Sequence, residues 1–306
     1  NFLAWGSAST LDKAYADFLD PLVKDGYMSA YYLAVSKDGV VEVDRGLGAN
    51  GAINLPDPNN QTSFALFSLS KPLVSVAVLK LVDKGLIELD APLAQYLPEF
   101  KGIALEDGIV ADSDLKVFNL FTHTSGFIHN KDFRGKGELA EAYQSEGLFT
   151  LESLSGKSYS SPDALAEQVG KLASLPLSNK PGSSFEYSVS TDVLGRLAEV
   201  VSGKGLDVFL EEILFDPLGM KETGFYRSEV GKANKAVLMK PLIRTFPVPG
   251  TYQRFEPHPP FIEGAGPGLG EAVGLLGAGS GLISNGKDMI VDVPLGTIAK
   301  DVENIS

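Results

Sequence analysis

Apolar residues recur on one helical stripe near the start of the chain: Leu11, Ala14, Tyr15, Phe18 and Leu22. With Ser9 or Thr10 as an N-cap, this predicts a helix over 9–24. The pattern then becomes β-rich at 30–36 and 40–45, around Lys37-Asp38-Gly39, which predicts an antiparallel hairpin. Residues 48–61 are rich in Asn, Pro and Gly and read as loop. A short apolar run, 64–67, leads into Ser68-Leu69-Ser70-Lys71-Pro72. From there to about Lys84, Leu73, Val76, Ala77, Leu79 and Val82 predict a buried helix, with Gly85 suited to its C′ position.

The middle reads as helices and loops. A short helix closed by Pro98 is expected over 90–100, and 115–121 precedes His123-Thr124-Ser125-Gly126. Ser161-Pro162-Asp163 opens a helix to about Ala173, with Pro at N1. Val193, Leu197, Val200 and Val201 share a face over 192–202, which ends at Gly203. A helix over 206–215 is expected to stop at Pro217. Residues 228–270 read as loop, and the Gly-rich run 274–281 precedes Leu282-Ile283-Ser284, near which a last helix begins. Strands first and helices afterwards indicate an α+β fold rather than alternating βα units.

Composition narrows the chemistry. The 306 residues suffice for one large domain or two joined ones, without covalent staples. There is no Cys, which excludes disulfides, thiolate metal sites and a cysteine nucleophile. The three His, at 123, 129 and 258, are too few and scattered for a histidine-rich metal centre. A formal charge of −13 argues against nucleic-acid partners, which need a basic face. The apolar runs fall short of the about 18 residues needed to span a membrane. The compartment stays open: soluble, and cytoplasmic, periplasmic or secreted.

Two motifs are discounted. Gly46-Leu47-Gly48-Ala49-Asn50-Gly51 fits a dinucleotide-binding pattern, but the following Ala-Ile-Asn-Leu-Pro-Asp-Pro cannot form the required helix. The segment 281–287 fits a phosphate-binding loop, but Asp288 stands where a hydroxyl is needed.

The strongest local signal is Ser68-Leu69-Ser70-Lys71. Residues three apart on a helix share a face, so hydroxyl and amine can share a hydrogen bond. A serine needs a base to become a nucleophile. A lysine, with an ordinary pKa near 10.4, can serve once desolvation favours its neutral form. Phe64, Leu66, Phe67, Leu69 and Leu73 are the expected apolar surroundings. The plainer reading is a Ser N-cap followed by an incidental Lys. The pattern recurs at Ser284-Asn285-Gly286-Lys287 in a polar setting. Ser70 stands one residue from Lys71 and is expected to face elsewhere. Tyr187, in Tyr187-Ser188-Val189-Ser190, is either a proton carrier beside Lys71 or a loop anchor. His123-Thr124-Ser125-Gly126 reads as a loop fixed by side-chain to backbone bonds. His258, among prolines, reads as a surface or rim residue.

Together, several segments resemble the serine β-lactamase and penicillin-binding protein superfamily. They are most similar to its family VIII carboxylesterases, the esterase branch similar to class C β-lactamases. The segments are 67–73, 87–100, 120–127, 181–203 and 216–225, in the family's order over about 30–284. The resemblance implies Ser68 as acylated nucleophile, Lys71 as its base or relay, and Tyr187 as second proton carrier. It implies an oxyanion hole using the Ser68 N–H and one from a later strand. The implied fold is an antiparallel sheet flanked by helices, with an α/β subdomain from 1–85 and 271–306 and a mostly helical subdomain from 86–270. Hydrolysis of short-chain carboxylic esters is expected, with no metal or organic cofactor.

The chain departs from the family pattern twice. Where the β-lactamases have Tyr-x-Asn, position 189 is Val, which favours esters over β-lactams. The family's third motif, on a strand near the C-terminus, finds no match, and the closing strands are expected to be missing. A fragment, a divergently closed member and a disrupted, inactive form all fit. A second chain or homo-oligomer could then complete the sheet. The alternatives in function are a β-lactamase or D-Ala peptidase using the same residues, or a silent binding protein on this scaffold.

Overall fold

The computed structural model describes residues 8–25, 30–37, 40–48, 57–130, 135–149, 163–225 and 282–289. The elements in chain order are α1 (Ala8–Lys24), β1 (Ala30–Lys37), β2 (Val40–Gly48), β3 (Ser63–Ala65), a 3₁₀ turn (Phe67–Leu69) and α2 (Ser70–Asp83). Two 3₁₀ turns follow, Leu93–Gln95 and Pro98–Phe100, then α3 (Val117–Phe121), α4 (Gly137–Ser145), α5 (Ala164–Leu172) and α6 (Ser190–Ser202). The last are α7 (Leu206–Leu210), a π turn (Glu211–Phe215), α8 (Asp216–Leu218), β4 (Gly224–Phe225), β5 (Leu282–Asn285) and α9 (Gly286–Met289). Asp38-Gly39, Pro162, the Gly-rich run 274–281 and His258 lie outside the described residues. The architecture is α+β, as the order of strands and helices implies.

Two compact units divide the chain. Among the described residues, one holds 8–64 and 284–289, and the other holds 65–225 and 282–283. In the first, β1 and β2 pair antiparallel from Ala30 opposite Gly48 to Lys37 opposite Val40, with a register shift at Val35/Ser36. Arg45 fastens this hairpin to α1. Its guanidinium donates to Asp12 at 3.0 Å, to Asp20 at 3.3 Å and to the Tyr31 hydroxyl at 2.8 Å. The Tyr31 hydroxyl in turn donates to Asp20, which holds that carboxyl below its ordinary pKa.

Both discounted motifs have structural roles here. Gly46 lies inside β2, and a Cβ there would sit 1.8 Å from the Pro58 carbonyl oxygen. A Cβ on Gly286 would meet the Tyr32 ring at 2.0 Å. Both glycines permit close packing that a Cβ would block.

In the second unit, α2 packs against α6. Val74, Ala77, Val78 and Leu81 are buried on α2, and Val193, Leu194, Leu197 and Ala198 on α6. Gly85 (φ +68°) and Gly203 (φ +70°) take left-handed positions after the two helices. β4 pairs with β5 antiparallel, Gly224 opposite Ile283 and Phe225 opposite Leu282. The Leu66 N–H donates to the Leu282 carbonyl at 2.9 Å.

Three expectations need correcting. Ser9 and Thr10 lie within α1 rather than capping it. The helix expected over 90–100 is two 3₁₀ turns, and Pro98 opens the second instead of closing a helix. Pro is accepted there because an early helical position has no intrahelical use for its missing N–H. The same reason lets helical structure continue past Pro217, ending at Gly219 (φ +69°). The helix expected near Ser284 starts at Gly286, directly after β5.

Candidate functional site

Ser68 and Lys71 flank the junction between a 3₁₀ turn and α2. In a 3₁₀ turn, side chains three apart nearly eclipse one another. The Leu69 N–H closes the turn on the Leu66 carbonyl at 2.9 Å. Lys71 Nζ then donates to Ser68 Oγ at 3.4 Å. The serine is exposed. Leu69 is 60% exposed and turns outward, so it does not join the expected apolar jacket around Lys71.

Tyr187 reaches this pair from 119 residues away, its hydroxyl 2.7 Å from Ser68 Oγ. Lys71 Nζ lies 4.9 Å from the centre of the tyrosine ring. Serine, lysine and tyrosine are therefore mutually in contact.

The loop that carries Tyr187 is fixed by backbone pairing. Gly182 N–H donates to the Thr124 carbonyl at 2.8 Å, Glu186 N–H to His123 at 2.8 Å, and Ser178 N–H to Gly126 at 2.9 Å. Two segments far apart in sequence are thus zipped together. The approach requires Gly126: its φ is +87°, and a Cβ would lie 2.3 Å from the Asn179 carbonyl oxygen. Asn119 adds a side-chain anchor, its amide donating to Thr124 Oγ1 at 3.0 Å. Beyond Tyr187 the chain enters α6 with Val189, which is almost fully buried.

Two histidines stand against Tyr187, with ring centres 4.8 Å away for His123 and 5.3 Å for His129. Burial, reinforced by the Lys71 charge, lowers the pKa of both, to about 4 for His129. The reading of 123–126 as a loop fixed by side-chain to backbone bonds agrees with two contacts. Ser188 N–H donates to His123 Nδ1 at 3.2 Å, and Phe127 N–H donates to Ser125 Oγ at 3.2 Å. His129 joins this site although nothing in its own sequence neighbourhood, beyond its position six residues after His123 in the same loop, marks it as a site residue.

The other serines take structural places. Ser70 is fully buried and accepts from the Leu282 N–H at 3.2 Å. Ser284 is also buried, and its hydroxyl donates to the Asn285 carbonyl at 3.4 Å. The Lys287 N–H donates to the Asn60 carbonyl at 2.9 Å.

Comparison with known proteins gives a consistent family. A family model described as Beta-lactamase matches residues 15–296. Esterase EstB of Burkholderia gladioli is 36% identical over 168 residues, which is 55% of this chain and 40% of that protein. A putative D-alanyl-D-alanine carboxypeptidase of Escherichia coli is 27% identical over 209 residues, 65% of this chain and 44% of that protein. This chain spans under half the length of each of these relatives. Among solved structures, EstCE1, described as a hydrolase with promiscuous acyltransferase activity, superposes with a TM-score of 0.69 at 23% identity, covering 93% of this chain and 71% of that one. A class C beta-lactamase gives 0.60 at 19% identity, covering 95% and 66%. These two likenesses are of fold. No helix among the described residues is long and apolar enough to cross a membrane.

Proposed function

Because the chain belongs to the beta-lactamase family, we propose that it is a serine hydrolase of short-chain carboxylic esters, acting through an acyl-Ser68 intermediate. The observation that carries this reading is the three-way contact at Ser68 Oγ: the Tyr187 hydroxyl at 2.7 Å and Lys71 Nζ at 3.4 Å. A nucleophile within hydrogen-bond reach of two proton-carrying groups is the arrangement that acyl transfer needs.

Ser68 Oγ attacks the ester carbonyl carbon, and its proton passes to the Lys71–Tyr187 pair. The tetrahedral intermediate collapses to the acyl-serine. The leaving alkoxide takes the proton through Tyr187 and departs as the alcohol. Water then attacks the acyl-serine, giving its proton to the same pair. Ser68 is regenerated and the carboxylic acid leaves. The Ser68 N–H is one proposed oxyanion donor. The favourable field at the N-terminus of α2, a 14-residue helix that starts two residues after Ser68, acts in the same sense.

Val189 supports esters over β-lactams. It is buried in the core at the position where the β-lactamases carry a polar amide. The relationship to an esterase at 36% identity points the same way.

The test is hydrolysis of p-nitrophenyl butyrate beside nitrocefin, by the parent and by Ser68→Ala. The reading expects butyrate turnover to dominate and to vanish in the variant. Dominant nitrocefin turnover would replace it with the β-lactamase reading. Undiminished ester turnover in Ser68→Ala would remove it.

A further inference from the structure

Three fully buried serines lie behind Tyr187 with no part in the chemistry above: Ser125, Ser188 and Ser190. They form a chain. Ser125 Oγ is 2.8 Å from Ser190 Oγ, Ser190 Oγ is 2.8 Å from Ser188 Oγ, and Ser188 Oγ is 3.3 Å from His123 Nδ1.

The direction of every bond in this chain follows from its two ends. At one end the Phe127 N–H, which can only donate, gives to Ser125 Oγ at 3.2 Å. At the other end the Ser188 N–H donates to His123 Nδ1 at 3.2 Å. Nδ1 must therefore present its lone pair, which makes His123 the neutral tautomer with its proton on Nε2. The Ser188 hydroxyl consequently donates to Nδ1 as well, sharing that lone pair. Ser190 then donates to Ser188, and Ser125 to Ser190. Each hydroxyl donates once along the chain, and no buried hydroxyl proton lacks an acceptor. Hydrogen bonds aligned in one sense polarise and strengthen one another.

The chain ends on a ring that bears on the reacting groups. His123 adopts φ +52°, a backbone conformation that costs a residue with a Cβ and persists where surrounding structure enforces it. Its imidazole lies between Phe185, edge-on at 5.9 Å, and Tyr187 at 4.8 Å.

We propose that His123 is a positioning residue for Tyr187. Fixed as the Nε2–H tautomer by Ser188 and the Ser190–Ser125 hydroxyls, it holds the phenol at Ser68. This rests on the hydrolase reading above, since it assigns Tyr187 a place to be held in. The titratable groups around the imidazole are Lys71 on α2, and His129 and Tyr187 on the adjoining loops. Its burial and the Lys71 charge act in the same direction, against protonation.

The decisive experiment joins a spectroscopic and a kinetic readout on the full chain. Nitrogen-15 NMR of histidine-labelled protein at pH 7 has only three imidazoles to assign. It should show His123 with Nδ1 unprotonated and Nε2 protonated. His123→Asn keeps a residue suited to positive φ and an amide oxygen for the Ser188 N–H, but removes the ring. Ser190→Ala interrupts the hydroxyl chain without touching Tyr187. Both should lower kcat for p-nitrophenyl butyrate, by about 10- to 100-fold for His123→Asn and less for Ser190→Ala, with KM nearly unchanged. A protonated Nδ1 overturns the proposal, and so does parental kcat in both variants while Ser68→Ala is inactive. Full activity in Ser68→Ala would instead overturn the hydrolase reading, and the role of His123 with it.

Discussion

The chain carries the same Ser-x-x-Lys spacing twice, and the two copies have opposite fates. At 68–71 the serine is exposed, the lysine donates to it, and a tyrosine hydroxyl arrives from 119 residues away. At 284–287 the serine is buried and donates to the neighbouring Asn285 carbonyl. There Gly286 lies close against the Tyr32 ring, and the lysine N–H is tied to Asn60. The spacing thus specifies no more than a local alignment. What distinguishes the first copy is the second segment, in which three backbone hydrogen bonds hold the Tyr187 loop against 123–126.

The largest effect should separate the copies by their lysines and by the tyrosine. Lys71→Met and Tyr187→Phe should each lower kcat for p-nitrophenyl butyrate by about 10²- to 10⁴-fold, the range for loss of a general acid or base. Lys287→Met should stay near the parental rate. Equal losses from the two lysine substitutions would erase the contrast between the copies.

The next effect is a pH dependence of stability specific to the first copy. His129, beside Tyr187, has its pKa lowered from 6.5 to about 4 by burial first, then by the charge of Lys71. Between those values the unfolded chain binds the proton and the folded chain does not, so stability falls as pH drops from about 6.5 towards 4. The full shift corresponds to about 3 kcal/mol. Urea midpoints measured at pH 7 and pH 4.5 should show a smaller loss in His129→Phe than in the parent. An identical loss would contradict the burial of a neutral imidazole there.

A smaller effect tests the loop pairing. Gly126→Ala places a Cβ against the Asn179 carbonyl at a positive φ. It should cost about 1–3 kcal/mol in stability, read as a lower Tm, together with reduced ester turnover. The smallest effect is on the second copy: Ser284→Ala, which removes the long hydrogen bond to the Asn285 carbonyl, should leave turnover unchanged.

These contrasts also mark what could be read before folding. The hairpin was legible because Asp38-Gly39 sits between two β-rich runs, and α2 because its apolar run stops at Gly85. Ser68 and Lys71 stand out by their three-residue spacing and Tyr187 as a candidate proton carrier, but only the family resemblance joins them into one site, since no local periodicity links residues 119 positions apart. Pro98 and Pro217 misled because a proline opens a helical turn as readily as it ends one. The hydroxyl chain from Ser125 to His123 was beyond reach. It depends on two loops meeting, and its serines have no spacing that announces a shared interior.

The central claim is that Ser68 is the group acylated. The direct measurement is peptide mapping by mass spectrometry after reaction with a fluorophosphonate probe. The adduct should lie on Ser68 and be absent from Ser68→Ala. An adduct on Ser70, Ser188 or Ser284, or labelling that persists in Ser68→Ala, would contradict the claim.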